Sequence, residues 1–278
     1  MLPWATEFGF ELVEFEQQKL EAFLRETPQL TDFSPFCIHL FDTLPSTNQK
    51  LWQLLAQGAK PGTVVIATEQ TAGRGQWGRE WSSPIGGLYL SVALAANLPA
   101  PQSYQLTLSS AWGIATALRD RGIPIRLKWP NDLILESRKL GGILTETKVR
   151  QEKITIAVVG VGINWSNPVP ATGINLQSFL GDRLSITCQE MLAALTLQGI
   201  ASGHQCLQAG IDTILPSYHQ LLTSIGKQVT VDGRTGVVVS ITPQGDLRIK
   251  FDTNRISKTT ENSEIYLKPG AISLGYDC

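Results

Sequence analysis

Apolar and polar residues alternate along this chain with two different periods, and the switches between them mark out its elements. Phe8, Leu12, Phe15, Leu20 and Leu24 recur at helical spacing, which predicts a helix over 7–26 that ends before Pro28. Residues 36–41, FCIHLF, read as a strand. A helix is then expected to start at Ser46 or Thr47 and stop at Gly58. The runs 63–68 and 87–94 are rich in β-branched and large apolar residues and predict two more strands. Tyr104, Leu108, Ala111, Trp112, Ala115 and Leu118 share one helical face, and Gly122 with Pro124 closes that helix. Two further strands, near 142–148 and 153–161, flank a basic turn. Strands that so often follow one another predict an α+β fold with a mixed sheet rather than a doubly wound parallel one.

The texture changes after residue 223. Asp232-Gly233 and Gly245-Asp246 are tight-turn signals set among alternating residues. Val237, Val239 and Ile241 are expected to share one face, as are Leu247, Ile249 and Phe251. The expectation is a small β-barrel of about 45 residues. The chain therefore divides into a helical extension (1–35), a core (36–223) and the small barrel (224–278).

The bulk numbers narrow the function. Of 278 residues, 17% are charged and the formal net charge is −1, so broad attraction to nucleic acid or anionic lipid is not expected. Recognition of phosphate would need a few placed cations. No run of about 18 uncharged apolar residues occurs, and the first residues do not read as a secretory signal. Cys37, Cys188, Cys206 and Cys278 are scattered, with no CxxC pair, as expected of free thiols in the cytoplasm.

Four segments could carry chemistry. In 70–81, QTAGRGQWGREW, Gly73, Gly75 and Gly78 stand within six positions, flanked by Arg74 and Arg79. Ordering such a loop is costly, so its backbone is expected to approach something closely, with phosphate or carboxylate as the guest. It is not a P-loop, because Arg79-Glu80 stand where Lys and Ser/Thr are required. A surface loop with solvated arginines is the bland alternative. Lys128-Trp129-Pro130-Asn131-Asp132 joins two apolar runs and offers polar groups at a turn, or is simply a turn. Lys139, ahead of Gly141-Gly142, either caps a hairpin or places an ammonium at the mouth of the sheet. Gly160-Val161-Gly162-Ile163-Asn164 is only a weak dinucleotide signal, since the third glycine is missing and Pro168 and Pro170 follow.

Together these segments resemble the biotin–protein ligases. The family's ordered motifs appear here as Ser46-Thr47-Asn48, GRGQWGREW (73–81), KWPND (128–132), KLGGIL (139–144) and GVGIN (160–164). The likeness covers about residues 36–270. It implies a core of the class II synthetase/biotin–lipoate ligase type followed by an SH3-like barrel. It also implies an ATP- and magnesium-dependent enzyme that makes biotinyl-5′-adenylate and passes biotin to a lysine of a biotin carboxyl carrier protein. By that resemblance Ser46, Thr47, Asn48 and Gln70 hold the ureido ring, and Arg74, Gly75 and Gln76 close over the ligand. Lys139 faces the biotin carboxyl, and Gly142 packs on the bicyclic ring. Arg74, Arg79, Trp81, Lys128, Asn131 and Asn164 serve the adenylate. Arg74, Lys139 and Asp132 are the catalytic candidates, with Asp132 as orienter or base for the acceptor amine. The resemblance names no magnesium ligands. It allows a homodimer and implies no nucleic-acid or membrane partner.

Two departures stand out. Many relatives have arginine where this chain has Gln76, which implies a weaker hold on the adenylate. The residues before 36 are too few for a winged helix-turn-helix, so ligase activity without repression is expected. The alternatives are a lipoate or octanoate ligase of the same fold, and a biotin-binding module without catalysis.

Overall fold

The computed structural model describes residues 15–26, 36–251, 263–272 and 274–275. The N-terminal expectation is met only in its second half, by α1 (Gln17–Arg25), which buries Leu20; Glu16 before it is extended, so one helix does not run through 7–26. The part of that expectation on 7–14, and the break at Pro28, lie outside the described residues.

β1 (Cys37–Leu44) leads through α2 (Thr47–Ala56) into β2 (Thr63–Gln70), which pairs with β1 in parallel. β3 (Gly87–Pro99) returns antiparallel. After α3 (Tyr104–Asp120) come the short strands β4 (Arg126–Lys128) and β5 (Asp132–Leu135), then the long hairpin of β6 (Arg138–Arg150) and β7 (Lys153–Asn164). The seven strands order as β1-β2-β3-β7-β6-β5-β4, with β1–β2 the parallel pair, so the sheet is mixed as expected.

Both faces of its centre are covered. On β2, Val64 and Ile66 enter the main core, while Val65 and Ala67 join Leu51 of α2 in a second cluster. Burial on both faces explains why this strand reads as an unbroken apolar run. The main core is closed by α3 and by α5 (Gln189–Gln208), which α1 contacts in turn; α4 (Leu176–Leu180) and α6 (Leu215–Leu221) complete the helices. α3 and α5 approach closely because glycines meet there: a Cβ on Gly113 would overlap the backbone of Gly199, and one on Gly203 that of Ser109.

The C-terminal residues form a four-stranded antiparallel sheet, β8 (Gln228–Val231), β9 (Arg234–Ile241), β10 (Leu247–Phe251) and β11 (Glu264–Leu267), in the order β11-β10-β9-β8. Among the described residues this sheet is open, and no ladder joins β8 to β11 to close a barrel. Asp232 and Gly233 both take positive φ (50° and 77°), as the β8–β9 turn requires. Leu247, Ile249 and Phe251 share the buried face as expected, but β9 differs. Arg248 pairs with Ser240 and Ile249 with Val238, so Val239 is a bulge. The extra residue changes which side chains point inward, and Gly236, Val238 and Ile241 are buried instead of the set Val237, Val239 and Ile241. The β9–β10 turn sits on the larger sheet's core: Trp129 Nε1 donates to Gly245 O (2.8 Å) and Gln105 Nε2 to Pro243 O (3.2 Å).

Candidate active site

The α2 face of the sheet is hollowed by small residues. Along β7, Val159, Val161 and Ile163 belong to the main core, so the alternate positions Gly160 and Gly162 face the other way and line a cleft. A Cβ on Gly160 would overlap the Asn48 amide, and one on Gly162 the Trp81 indole. The glycines of GVGIN are thus explained by close approach of side chains rather than by a dinucleotide turn.

One end of the cleft is a polar network at the start of α2. Gln70 Oε1 accepts from Thr47 N (2.8 Å) and Thr47 Oγ1 (3.2 Å), and Gln70 Nε2 donates to Ser83 Oγ (2.8 Å). The buried Ser91 hydroxyl lies 2.6 Å from Asn48 Oδ1 and 2.8 Å from Thr47 Oγ1. Asn48 Nδ2 donates to Glu146 Oε2 (2.9 Å), which fixes the orientation of that amide. Ser46, Thr47 and Asn48 are all buried at this end, and satisfied polar groups around a small hollow suit a neutral, doubly hydrogen-bonding guest.

The glycine loop is a small hairpin over the cleft. Gly75 N donates to Arg79 O (2.7 Å) and Trp81 N to Gly73 O (2.9 Å), with a 3₁₀ turn, Gln76–Gly78, at its tip. Trp77 in that turn has φ 55°, a costly conformation for a bulky residue, and its ring is half exposed beside Arg79. A Cβ on Gly73 would overlap Trp81 O, so part of the glycine content serves the loop's own return path. Arg74 reaches back to Glu146 (2.9 Å). Gln76 points inward, with Nε2 3.5 Å from Ile143 O. Tyr104, whose hydroxyl neighbours Gln76, gives its proton to Pro130 O (3.0 Å), so Gln76 Oε1 is buried without a donor. Trp81 Nε1 is likewise buried with no acceptor. Orphaned polar groups are uncommon in folded interiors, and two in one cleft wall mark a place for a ligand's own donors and acceptors.

The other end carries charge. Lys128 closes β4 and Asp132 opens β5 opposite it, so Trp129-Pro130-Asn131 is the connecting hairpin loop, with a cis Trp129–Pro130 bond. Lys139 Nζ lies 2.7 Å from Asp132 Oδ1 and 5.1 Å from the centre of the Trp81 ring. Lys128 Nζ lies 3.8 Å from Asp132 Oδ2. Burial lowers the Lys128 pKa, and the Asp132 carboxylate opposes that shift. Two ammonium groups on one carboxylate leave a surplus of positive charge where an anion fits. Gly142 faces the same space: a Cβ there would stand 3.6 Å from Asp132 Oδ1, in ordinary contact.

The structure therefore brings Ser46, Thr47, Asn48, Gln70, Arg74, Gly75, Gln76, Arg79, Trp81, Lys128, Asn131, Asp132, Lys139 and Gly142 around one cleft. Asn131 spends its amide on Ile143 O (2.7 Å). Asn164 does not line the cleft. Its Nδ2 donates toward Ile174 O (3.3 Å) and Lys139 O (3.4 Å), and its Oδ1 accepts from Asn167 (3.0 Å), so it fastens the backbone that carries Lys139. Ser83, Ser91 and Glu146 had no place in the motifs. Ser91 gave only the signal of one polar residue inside an apolar strand, and Glu146 and Ser83 lie among other polar residues that do not single them out.

A family model described as the biotin/lipoate A/B protein ligase family matches residues 40–164, from β1 to the end of β7. The same region is 37% identical over 125 residues to the bifunctional ligase/repressor BirA of Bacillus subtilis, covering 44% of this chain and 38% of that one. It is 35% identical over 122 residues to the biotin–[acetyl-CoA-carboxylase] ligase of Paracoccus denitrificans, 43% of this chain and 50% of that one. The chain thus spans half or less of the length of these relatives. In fold, it resembles the biotin protein ligase of Aquifex aeolicus solved with biotin and ATP, with a TM-score of 0.68 at 24% identity, covering 87% of this chain and 99% of that one. Among the described residues, no helix is long and apolar enough to cross a membrane.

Proposed function

We propose that this ligase-family chain joins biotin to ATP as biotinyl-5′-adenylate and then transfers biotin to a lysine of a biotin carboxyl carrier domain. The observation that carries the reading is one cleft with a polar network at one end, reached by the Arg74–Glu146 pair, and Lys139 and Lys128 at the other. Biotin has the matching polarity, a urea at one end and a carboxylate at the other. The relatives' names and the ligands of the Aquifex aeolicus structure support the same substrates.

In the first step the carboxylate oxygen bonds to the α-phosphorus and the bond to pyrophosphate breaks. Two anions must approach, and at about 4 Å their repulsion is of order 4 kcal/mol at an effective dielectric near 20. Lys139 offsets it from a fixed position, braced by Asp132 and by the Trp81 face. Arg74 supplies a second cation from the glycine loop. In the second step the acceptor amine attacks the carbonyl carbon and AMP leaves. Asp132, held between two ammonium groups, serves best as the orienter of Lys139, and its engaged oxygens make it a poor base.

Magnesium enters this reading with the nucleotide. Among the described residues, no three His, Cys, Asp or Glu side chains converge to hold a metal by themselves. Those residues fit an ion bound mostly by phosphate and water, with Glu80 as the cleft carboxylate besides the lysine-paired Asp132. It would supply charge neutralisation on the phosphates.

Incubation with ATP, magnesium, biotin and a purified carrier domain tests the transfer. Mass spectrometry should find biotin on one lysine of that domain and on no other acceptor lysine. A carrier domain left unmodified while AMP accumulates would overturn the acceptor assignment.

A further inference from the structure

Glu146 lies on β6 outside every recognised motif, yet its carboxylate touches three residues on two separate elements. Oε2 accepts from Asn48 Nδ2 (2.9 Å) and from Trp52 Nε1 (3.2 Å), one turn apart on α2. Oε1 pairs with Arg74 NH2 (2.9 Å) on the glycine loop. Its side chain is 23% exposed, against 51% for Arg74, so the anchored partner is the carboxylate and the movable one is the guanidinium.

We propose that Glu146 is a positioning residue that holds the Arg74 loop and the Asn48 amide in a fixed relation. Its two oxygens divide the work. The Oε2 contacts leave Asn48 one orientation, with Nδ2 toward β6 and Oδ1 toward Ser91. The Oε1 contact restrains a loop whose glycines would otherwise make it costly to order. Arginine carries five N–H donors, so Arg74 keeps Glu146 while its remaining donors face an anion in the cleft. A half-exposed ion pair contributes little to stability, so this contact acts through placement and hardly through folding.

Glu146→Gln separates the two oxygens. A glutamine keeps an acceptor for Asn48 and Trp52 and turns an NH2 group toward Arg74. Trp52→Phe removes one Oε2 contact and leaves the pair with Arg74 intact. Two readouts on the full chain decide the matter. The first is tryptic cleavage after Arg79, followed by mass spectrometry, which reports loop order whatever the enzyme's substrate. Glu146→Gln should be cut at least about threefold faster than wild type, and Trp52→Phe at the wild-type rate. The second is biotin-dependent pyrophosphate exchange, which rests on the ligase reading. There Glu146→Gln should lower kcat by about tenfold or more, with the KM for biotin within about twofold. Unchanged cleavage in Glu146→Gln, an unchanged kcat, or equal effects from Trp52→Phe would each overturn the proposal. A wild-type protein without exchange would remove the ligase reading, and the cleavage rates would still decide the role of Glu146.

Discussion

Asp132 shows how much one side chain's meaning depends on its neighbours. The sequence allowed it to be an orienter, a base or an ordinary turn residue. With Lys139 at 2.7 Å and Lys128 at 3.8 Å it is the fixed anion between two cations. Gln76 is the residue-scale departure with the clearest consequence. Its amide lies in the cleft wall with Oε1 unpartnered, where many relatives have an arginine. A charge-assisted hydrogen bond exceeds a neutral one by about 1 kcal/mol, or roughly fivefold in affinity. Gln76→Arg should therefore slow dissociation of biotinyl-adenylate about fivefold, measured by chasing preformed adenylate from the enzyme. Equal dissociation rates in the two proteins would remove any role for position 76 in retention.

At the scale of elements, what could be read in advance depended on whether a segment has two unlike faces. α3 was legible because its large apolar residues recur at helical spacing and Gly122 ends it, although Gln105–Ala111 are all buried and the helix is enclosed on more than the expected face. α5 was not among the predicted elements. It is apolar nearly all round, from Met191 to Leu207, and Gly199 and Gly203 look like breakers until α3 is seen against them. The β9 bulge hid in the same way, since alternation cannot reveal an extra residue. The motif residues did converge, because their glycines and charges were conspicuous. Ser91 stayed hidden because a single polar residue in a strand has no pattern, and Glu146 because Thr145, Thr147 and Lys148 around it make it one polar residue among several.

α5 also carries a pH dependence. Burial against β3 lowers the pKa of His204 below 6.5, and its contact with the Ala95 backbone opposes that shift only in part. The unfolded chain therefore binds a proton that the folded chain refuses. The stability His204 contributes is fully present above pH 6.5 and is lost as pH falls through the lowered folded value. Wild type should lose stability between pH 7 and 5 with a slope steeper than His204→Gln, by up to about 1.4 kcal/mol per pH unit. Parallel profiles from denaturant titrations of the two proteins would show that His204 is not the group responsible.

Over the whole molecule, two packed faces of one mixed sheet divide the tasks. The α3–α5 face holds the core, and the opposite face is thinned by Gly142, Gly160 and Gly162 into a cleft. The small C-terminal sheet joins the same core through Trp129 and Gly245, on the segment that also supplies Lys128 and Asp132. Most of the strands and the turn of texture after residue 223 were legible in advance, but the order of the strands in the sheet was not. Closure of a barrel was expected there, and among the described residues the four strands form an open sheet.

Adenylation of biotin in this cleft is the proposed activity. Exchange of labelled pyrophosphate into ATP by the purified protein, compared with biotin, with lipoate and with neither acid, tests it most directly. Exchange that requires both biotin and magnesium, and that Lys139→Gln reduces by about a hundredfold, is the predicted result. Exchange with lipoate but not biotin, or none at all while biotin still binds, would contradict it.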